Sequence, residues 1–229
     1  MISKHIKFLL GAACVAAAFS GSASAVTTVA LVGSNTDIRT YSDGGTYAPL
    51  YDSTQTLAGI PFDFAAMSGQ TAITGGPVTI TTSIANPGVV YTLVNTAFGA
   101  LGANTGNITF NATGGLSYTV NYIEGDNVRD HYFNGFINTT SSPTVTQSVW
   151  GTNNPNTAHL DMQTIVLPSA FNSQTLTSIV FDSSGKDTST GIAFLAGVTV
   201  AAIPEPAEYA MLGLGLGLLG VVARRRGRA

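Results

Sequence analysis

Apolar and polar residues alternate with a period of two through the central part of the chain, and this alternation constrains the fold more than any other feature. The segments GLSYTVNYIE and PVTITTSI both show it. A period of two places successive side chains on opposite faces of a β-strand. We therefore expect strands with one buried and one solvated face, as in antiparallel sheets.

Similar short segments recur along the chain, separated by clusters of turn-forming residues. The segments include VTTVALV, IPFDF, VVYTLV, NITFNA, TVTQSVW, HLDMQTIVL, TLTSIVF and IAFLAGVTV, and the turns include SDGG, ANPG, TNNPN and SSGK. Sustained helical spacing is absent from this region, apart from a single turn near PSAFNS. We predict an all-β fold, an antiparallel β-sandwich of jelly-roll type, because a β-helix would need a regular coil repeat that the sequence lacks.

The first 25 residues have the layout of a secretory signal peptide. Two lysines precede an uncharged apolar run over residues 8–19, and the tripeptide ASA at 23–25 is a pattern that signal peptidase accepts. We place the cleavage after residue 25, so residues 26–202 form the exported domain and signal peptidase is an expected partner. The single cysteine lies in the signal, so the exported domain has no disulfide and relies on its hydrophobic core.

The C-terminal segment, residues 203–229, has three parts. A Pro-Glu-Pro motif at 204–206 is followed by an uncharged apolar run over 209–223 and an arginine-rich end at 224–228. As a helix the run is about 22 Å long, against roughly 30 Å for the hydrocarbon core of a bilayer. We predict a short transmembrane helix with its arginines on the cytoplasmic side and the large domain outside. The GLGLLG in this run is no dinucleotide loop, because too few residues follow it.

This C-terminal segment resembles the PEP-CTERM tail of Gram-negative bacteria. The residues that carry the resemblance are Pro204, Glu205 and Pro206, the Gly/Leu run, and Arg224, Arg225 and Arg226 as the membrane stop. The resemblance implies that an exosortase-type transpeptidase recognises the tripeptide and removes the tail. It also implies a transient inner-membrane anchor, followed by delivery to the cell surface or extracellular matrix. Glu208 and Tyr209 depart from the family's usual residues, and a permanent membrane anchor is the open alternative.

The charge of the exported domain excludes one class of partner. Residues 26–203 contain ten carboxylates and three basic side chains, which gives a formal charge of −7. Nucleic acid is therefore not an expected partner, because almost nothing would neutralise its phosphates.

The densest polar cluster is NYIEGDNVRDHYFNGF, residues 121–136, and three interpretations of it stay open. The first is a strand-to-loop corner in which an arginine binds carboxylates. The second is a carbohydrate site, in which aromatic rings pack against the sugar and bidentate groups such as Arg or Asp bind its hydroxyls. The third is a structural calcium site. The candidate ligand-binding residues are Asp126, Arg129, Asp130, His131, Tyr132 and Trp150. The candidate calcium ligands are Glu124, Asp126 and Asp130, although the usual Asp-x-Asp-x-Asp-Gly loop is missing. No other cofactor is predicted.

Catalytic signatures such as HExxH, GxSxG and a phosphate loop are absent from the sequence, so we predict no enzymatic activity. The alternative is a secreted glycan-active enzyme, which would need two positioned carboxylates in a cleft. The candidates for that pair are Glu124, Asp126, Asp130 and Asp161.

Three segments of the exported domain resemble galactose-binding-like jelly rolls: VVYTLVNTAFG, VNYIEGDNVRDHYFNGF and GIAFLAGVTVAA. The resemblance implies a fold more than a ligand. We therefore expect a structural or adhesive protein of the cell surface or biofilm matrix, with weak binding of extracellular polysaccharide by the region 126–150.

Overall fold

The computed structural model describes residues 25–40, 47–51, 53–65, 68–132, 136–152, 157–203 and 224. The chain divides into two units, of which one is Ala25–Ile203 and the other comprises the chain ends, Met1–Ser24 and Pro204–Ala229. The predicted signal peptide, except for its last residue, and the predicted apolar helix at 209–223 lie outside the described residues. Within the described part of the chain, no helix has the length and apolar character needed to cross a membrane.

The described residues form eleven β-strands and four short 3-10 turns. The strands are β1 Val26–Val29, β2 Thr54–Leu57, β3 Ile60–Asp63, β4 Val78–Ala85, β5 Pro87–Ala97, β6 Asn104–Ala112, β7 Leu116–Ile123, β8 Val145–Gly151, β9 His159–Val166, β10 Thr175–Asp182 and β11 Ile192–Ala202. The 3-10 turns are Ile38–Thr40, Ala48–Leu50, Thr113–Gly115 and Ser169–Ser173. The predicted turn near PSAFNS is the last of these.

Two antiparallel sheets make up the domain. The five-stranded sheet has the order β1-β11-β5-β9-β8, and the four-stranded sheet has the order β4-β10-β6-β7. The strands β2 and β3 form a separate hairpin. From β4 onward, every connection passes from one sheet to the other, except in the pairs β6–β7 and β8–β9. The predicted antiparallel all-β fold is confirmed, and this strand order is compatible with a jelly roll.

A hydrophobic core fills the space between the two sheets. The four-stranded sheet contributes Ile108, Phe110 and Ile179, while the five-stranded sheet contributes Val90 and Val198. All five side chains are fully buried. Burying a side chain of this size contributes roughly 1.5–3 kcal/mol, so this core supplies much of the stability that a domain without disulfides needs.

A second core covers the opposite face of the five-stranded sheet. Leu93 and Phe194 point to this face, and Phe62 of the β2–β3 hairpin packs there with Tyr47 and Leu50. The central strands β5 and β11 are consequently buried on both faces along most of their length. The expectation of one solvated face per sheet is wrong for the centre of this sheet, because residues distant in sequence cover it.

Candidate functional site

The polar segment after β7 folds back onto the end of β5. The backbone N–H of Thr96 donates to the carbonyl of Arg129 at 3.0 Å, and the N–H of His131 donates to the carbonyl of Thr96 at 2.8 Å. Asp130 pairs with Thr96 in a short parallel bridge. The centre of the predicted polar cluster is therefore held beside the sheet by backbone hydrogen bonds.

Arg129 forms a buried bidentate ion pair with Asp161 of β9. Its Nε donates to Oδ2 at 2.6 Å and its Nη2 donates to Oδ1 at 2.8 Å, and neither side chain is exposed. Nη1 donates to the carbonyl of Asn138 at 2.6 Å, Nη2 donates to the hydroxyl of Ser148 at 3.1 Å, and the Asn95 amide donates to Asp161 at 3.1 Å. The guanidinium lies inside the domain and joins the polar segment to β8 and β9, and Asp161 in turn connects it to β5.

The two aspartates of the polar segment lie in different environments. Asp130 is buried, and its carboxylate accepts the backbone N–H of Phe98 and the backbone N–H of Tyr132, each at 2.6 Å. Asp126 is exposed, and its carboxylate accepts the hydroxyl of Ser141 at 2.7 Å. Asp130 thus fixes backbone, while Asp126 is open to solvent.

Glu124 is the third candidate calcium ligand, and it is fully buried. Its Oε2 accepts the Thr96 hydroxyl at 2.8 Å, and its Oε1 has no hydrogen-bond partner among the described residues. Burial, helped by the nearby charge of Asp130, raises the pKa of Glu124 to about 8, although the Thr96 bond acts in the opposite direction. Among the described residues, no group of three or more His, Cys, Asp or Glu side chains is arranged to hold a metal ion.

The remaining predicted ligand residues differ in exposure. His131 is buried, and its Nδ1 forms a hydrogen bond with the Tyr47 hydroxyl at 2.9 Å. Burial, together with the neighbouring His159, lowers the pKa of His131 to about 3, so the ring is neutral at physiological pH. Tyr132 is half-buried, and Trp150 is half-buried in β8 where it packs against the second core.

The four carboxylates considered for catalysis do not form a solvent-facing pair. Glu124, Asp130 and Asp161 are buried, and only Asp126 is exposed. The Asp161 carboxylate is also occupied by the guanidinium beside it.

An exposed aromatic pair lies next to this buried cluster. Phe98, in the β5–β6 connection, is 42% exposed, and Phe136, in the β7–β8 connection, is 40% exposed. Their rings meet edge to face with centroids 5.6 Å apart. Leu101, in the same connection as Phe98, is 73% exposed. Exposed apolar side chains that lie together mark interaction sites more often than isolated ones do.

The buried polar residues position both members of the aromatic pair. Asp130 accepts the backbone N–H of Phe98, whose φ of 66° is uncommon for a residue with a side chain. Arg129 binds the carbonyl of Asn138, and the Asn138 amide donates to the carbonyl of Phe136 at 2.8 Å. Arg129 and Asp130, which the sequence suggested as ligand contacts, therefore hold the aromatic pair in place from inside the domain.

Sequence reasoning included Phe136 in the polar cluster but missed Phe98 and Leu101. A usable signal was present, since these two large apolar residues stand in a short glycine-containing connection, AFGALGA, where little core packing is available.

The described domain is thus an all-β protein of the class that presents exposed aromatic side chains, and buried polar residues hold these side chains in place. The C-terminal segment is more specific, because residues 202–226 match the family model of the PEP-CTERM protein-sorting motif. The match includes the predicted tripeptide at 204–206 and the arginines at 224–226, so the predicted sorting motif is confirmed. It indicates export and sorting to the cell surface, with processing by an exosortase-type enzyme.

The match covers the tail alone, and no curated protein matches the chain. The resemblance of the exported domain to galactose-binding-like jelly rolls therefore stays a prediction.

Proposed function

We propose that this protein is a non-catalytic component of the cell surface or extracellular matrix, and that its β-domain binds extracellular polysaccharide weakly in an adhesive or structural role. Before delivery, the tail anchors the chain in the inner membrane, and an exosortase-type transpeptidase then removes it. The sorting motif supports the destination, and the exposed Phe98–Phe136 pair is the observation that carries the binding role.

The aromatic pair suits a sugar ligand for a physical reason. The C–H faces of a sugar ring are apolar and pack against aromatic rings, while the hydroxyls at the ring edge need polar partners. Phe98 and Phe136 supply the apolar contact, and the exposed carboxylate of Asp126 lies in the same β7–β8 connection as Phe136. Because the site is small and open to solvent, we expect affinity to come from many copies acting together.

A binding role is also favoured over hydrolysis by the environment of the carboxylates. Glycoside hydrolysis needs two carboxyl groups that face the same bond from about 5 to 10 Å apart. In this domain Asp161 is neutralised by Arg129, and Asp130 is engaged with backbone amides. We therefore propose that these groups stabilise the domain.

The test is retention of the full-length protein on extracellular polysaccharide from the producing cells. Phe98→Ala and Phe136→Ala are expected to lower the apparent affinity about tenfold each, which corresponds to about 1.4 kcal/mol. Val166→Ala is the control, because Val166 is an exposed apolar residue, 68% exposed, at the end of β9. Equal retention of all four proteins would remove the proposed site.

A further inference from the structure

The four-stranded sheet has a second face of unusual composition. Its inner face carries core residues such as Ile80, Ile108 and Ile179. Its outer side chains form three rows that run across the strands. The first row is Thr81, Ser178, Asn111 and Ser117; the second is Thr79, Val180, Thr109 and Thr119; the third is Asp182, Asn107 and Asn121. Each of these side chains is exposed or half-buried. We call this surface the hydroxyl–amide face.

Several side chains of the hydroxyl–amide face are already held in place by their neighbours. The hydroxyls of Thr109 and Thr119 lie 2.8 Å apart, and the Asn111 amide donates to the Ser178 hydroxyl at 3.1 Å. The strands beneath are fixed by the core on their other side. Short side chains that are fixed in this way lose little conformational freedom when a ligand binds.

The near absence of charge on the hydroxyl–amide face favours an uncharged ligand. The exported domain carries ten carboxylates and three bases, yet the three rows contain one charged residue, Asp182, at the border of the face. Edge strands often carry charges, especially lysines, that prevent association, and the edge strands β4 and β7 of this sheet carry none. A charged ligand would lose hydration here without meeting a counter-charge, whereas an uncharged ligand needs none and can replace its hydrogen bonds to water with bonds to these side chains.

We propose that the hydroxyl–amide face binds an uncharged, linear polysaccharide. Hydroxyl and carboxamide groups both donate and accept hydrogen bonds, as sugar hydroxyls do. Neighbouring strands lie about 4.8 Å apart, so a chain laid along the first row meets a new polar side chain at each strand. A chain laid along the second row does so at every strand except β10, where Val180 stands. This spacing is close to the length of one pyranose unit. The hydroxyl–amide face shares no residue with the Phe98–Phe136 pair, so it is a separate binding surface.

The experiment measures depletion of the full-length protein by insoluble neutral polysaccharides, namely microcrystalline cellulose and an insoluble β-1,3-glucan. Thr119→Lys combined with Thr79→Lys places two unpaired cations in the middle row, and Thr119→Val removes one hydroxyl without changing the shape. Thr188→Lys is the matched control, because Thr188 is exposed and lies in the β10–β11 connection, outside the three rows. Thermal unfolding of each variant establishes that it is folded.

The wild type and Thr188→Lys are expected to bind at least one of the two solids, with about tenfold weaker apparent affinity for the double lysine variant and a smaller loss for Thr119→Val. Equal binding by the double variant and the wild type, or no binding by the wild type, would overturn the proposal. Ice shaping by the wild type without polysaccharide binding would assign the face to ice instead. Phe98→Ala separates the two proposed surfaces: if it abolishes binding while the double lysine variant has no effect, only the aromatic site stands.

Discussion

Replacing Arg129 with methionine tests whether the buried ion pair supports the domain. Arg129→Met keeps an unbranched apolar stem but removes the charge and the hydrogen bonds to Asp161, Asn138 and Ser148. Asp161 is then a buried carboxylate without its counter-charge. Breaking one partner of a buried pair costs about 3–5 kcal/mol, a large part of the roughly 5–15 kcal/mol by which domains are stable.

Urea unfolding followed by tryptophan fluorescence measures this loss, since Trp150 is the chain's only tryptophan. With a slope of about 2 kcal/mol per molar urea, a loss of 4 kcal/mol moves the midpoint down by about 2 M. The double variant Arg129→Met, Asp161→Asn is expected to lose less than the sum of the two single variants, because neither charge remains buried alone.

The half-buried pair of Arg39 and Asp37 is the matched control for this fully buried pair. It has the same bidentate geometry, with Nε to Oδ1 at 2.8 Å and Nη2 to Oδ2 at 3.0 Å, but the side chains are 29% and 22% exposed. Arg39→Met is therefore expected to cost below about 1 kcal/mol. The ion pair would not support the domain if Arg129→Met shifted the urea midpoint no more than Arg39→Met does. The same conclusion would follow if the stability losses of Arg129→Met and Asp161→Asn simply added in the double variant.

Three further predictions concern pH and processing. Burial is the main cause that lowers the pKa values of His131 and His159 to about 3 and about 4, so the folded state binds fewer protons than the unfolded state below pH 6.5. The free energy of unfolding should therefore fall as the pH drops from about 6.5 towards 4. In denaturation curves His159→Phe should reduce this dependence on pH, and an unchanged dependence would contradict the assignment. Glu124 changes stability in the opposite direction, because its pKa is raised to about 8 in the folded state. The free energy of unfolding should therefore fall as the pH rises from about 4.5 to 8, and Glu124→Gln should abolish this fall. The same fall in the Glu124→Gln variant would show that the carboxyl is already ionised in the fold. Mass spectrometry of the surface form should find a chain that ends near the 204–206 motif, and an intact chain through Ala229 would refute processing.

The sequence predicted those parts of the fold that depend on local pattern. The alternation in β7 is of this kind, because its polar residues face solvent and its apolar ones face the core. In β11 the same reasoning fails, since Phe194 and Leu195 point to opposite faces and both are buried. The cover over Phe194 comes from Phe62 and Tyr47, more than a hundred residues earlier, and nothing local in the strand indicates it.

The candidate site shows the same division. The sequence identified the cluster around Arg129 but not its partner, because Asp161 comes opposite it only when β9 pairs beside β5. The contact between Phe98 and Phe136 likewise joins two connections that are distant in the chain. The sequence predicted which segment of the chain is polar. Which of its side chains face solvent depends on the fold and could not be predicted.

The position of β11 has a consequence for how the protein is made. This strand pairs with β1 on one side and β5 on the other, so the last strand of the domain completes the middle of the five-stranded sheet. It ends at Ala202, the first residue of the segment 202–226 that matches the sorting motif. If the predicted signal peptide leads export, this sheet cannot close until nearly all of the domain has crossed the membrane. Such long-range pairing is slow to form, so closure of this sheet is expected among the last events of folding.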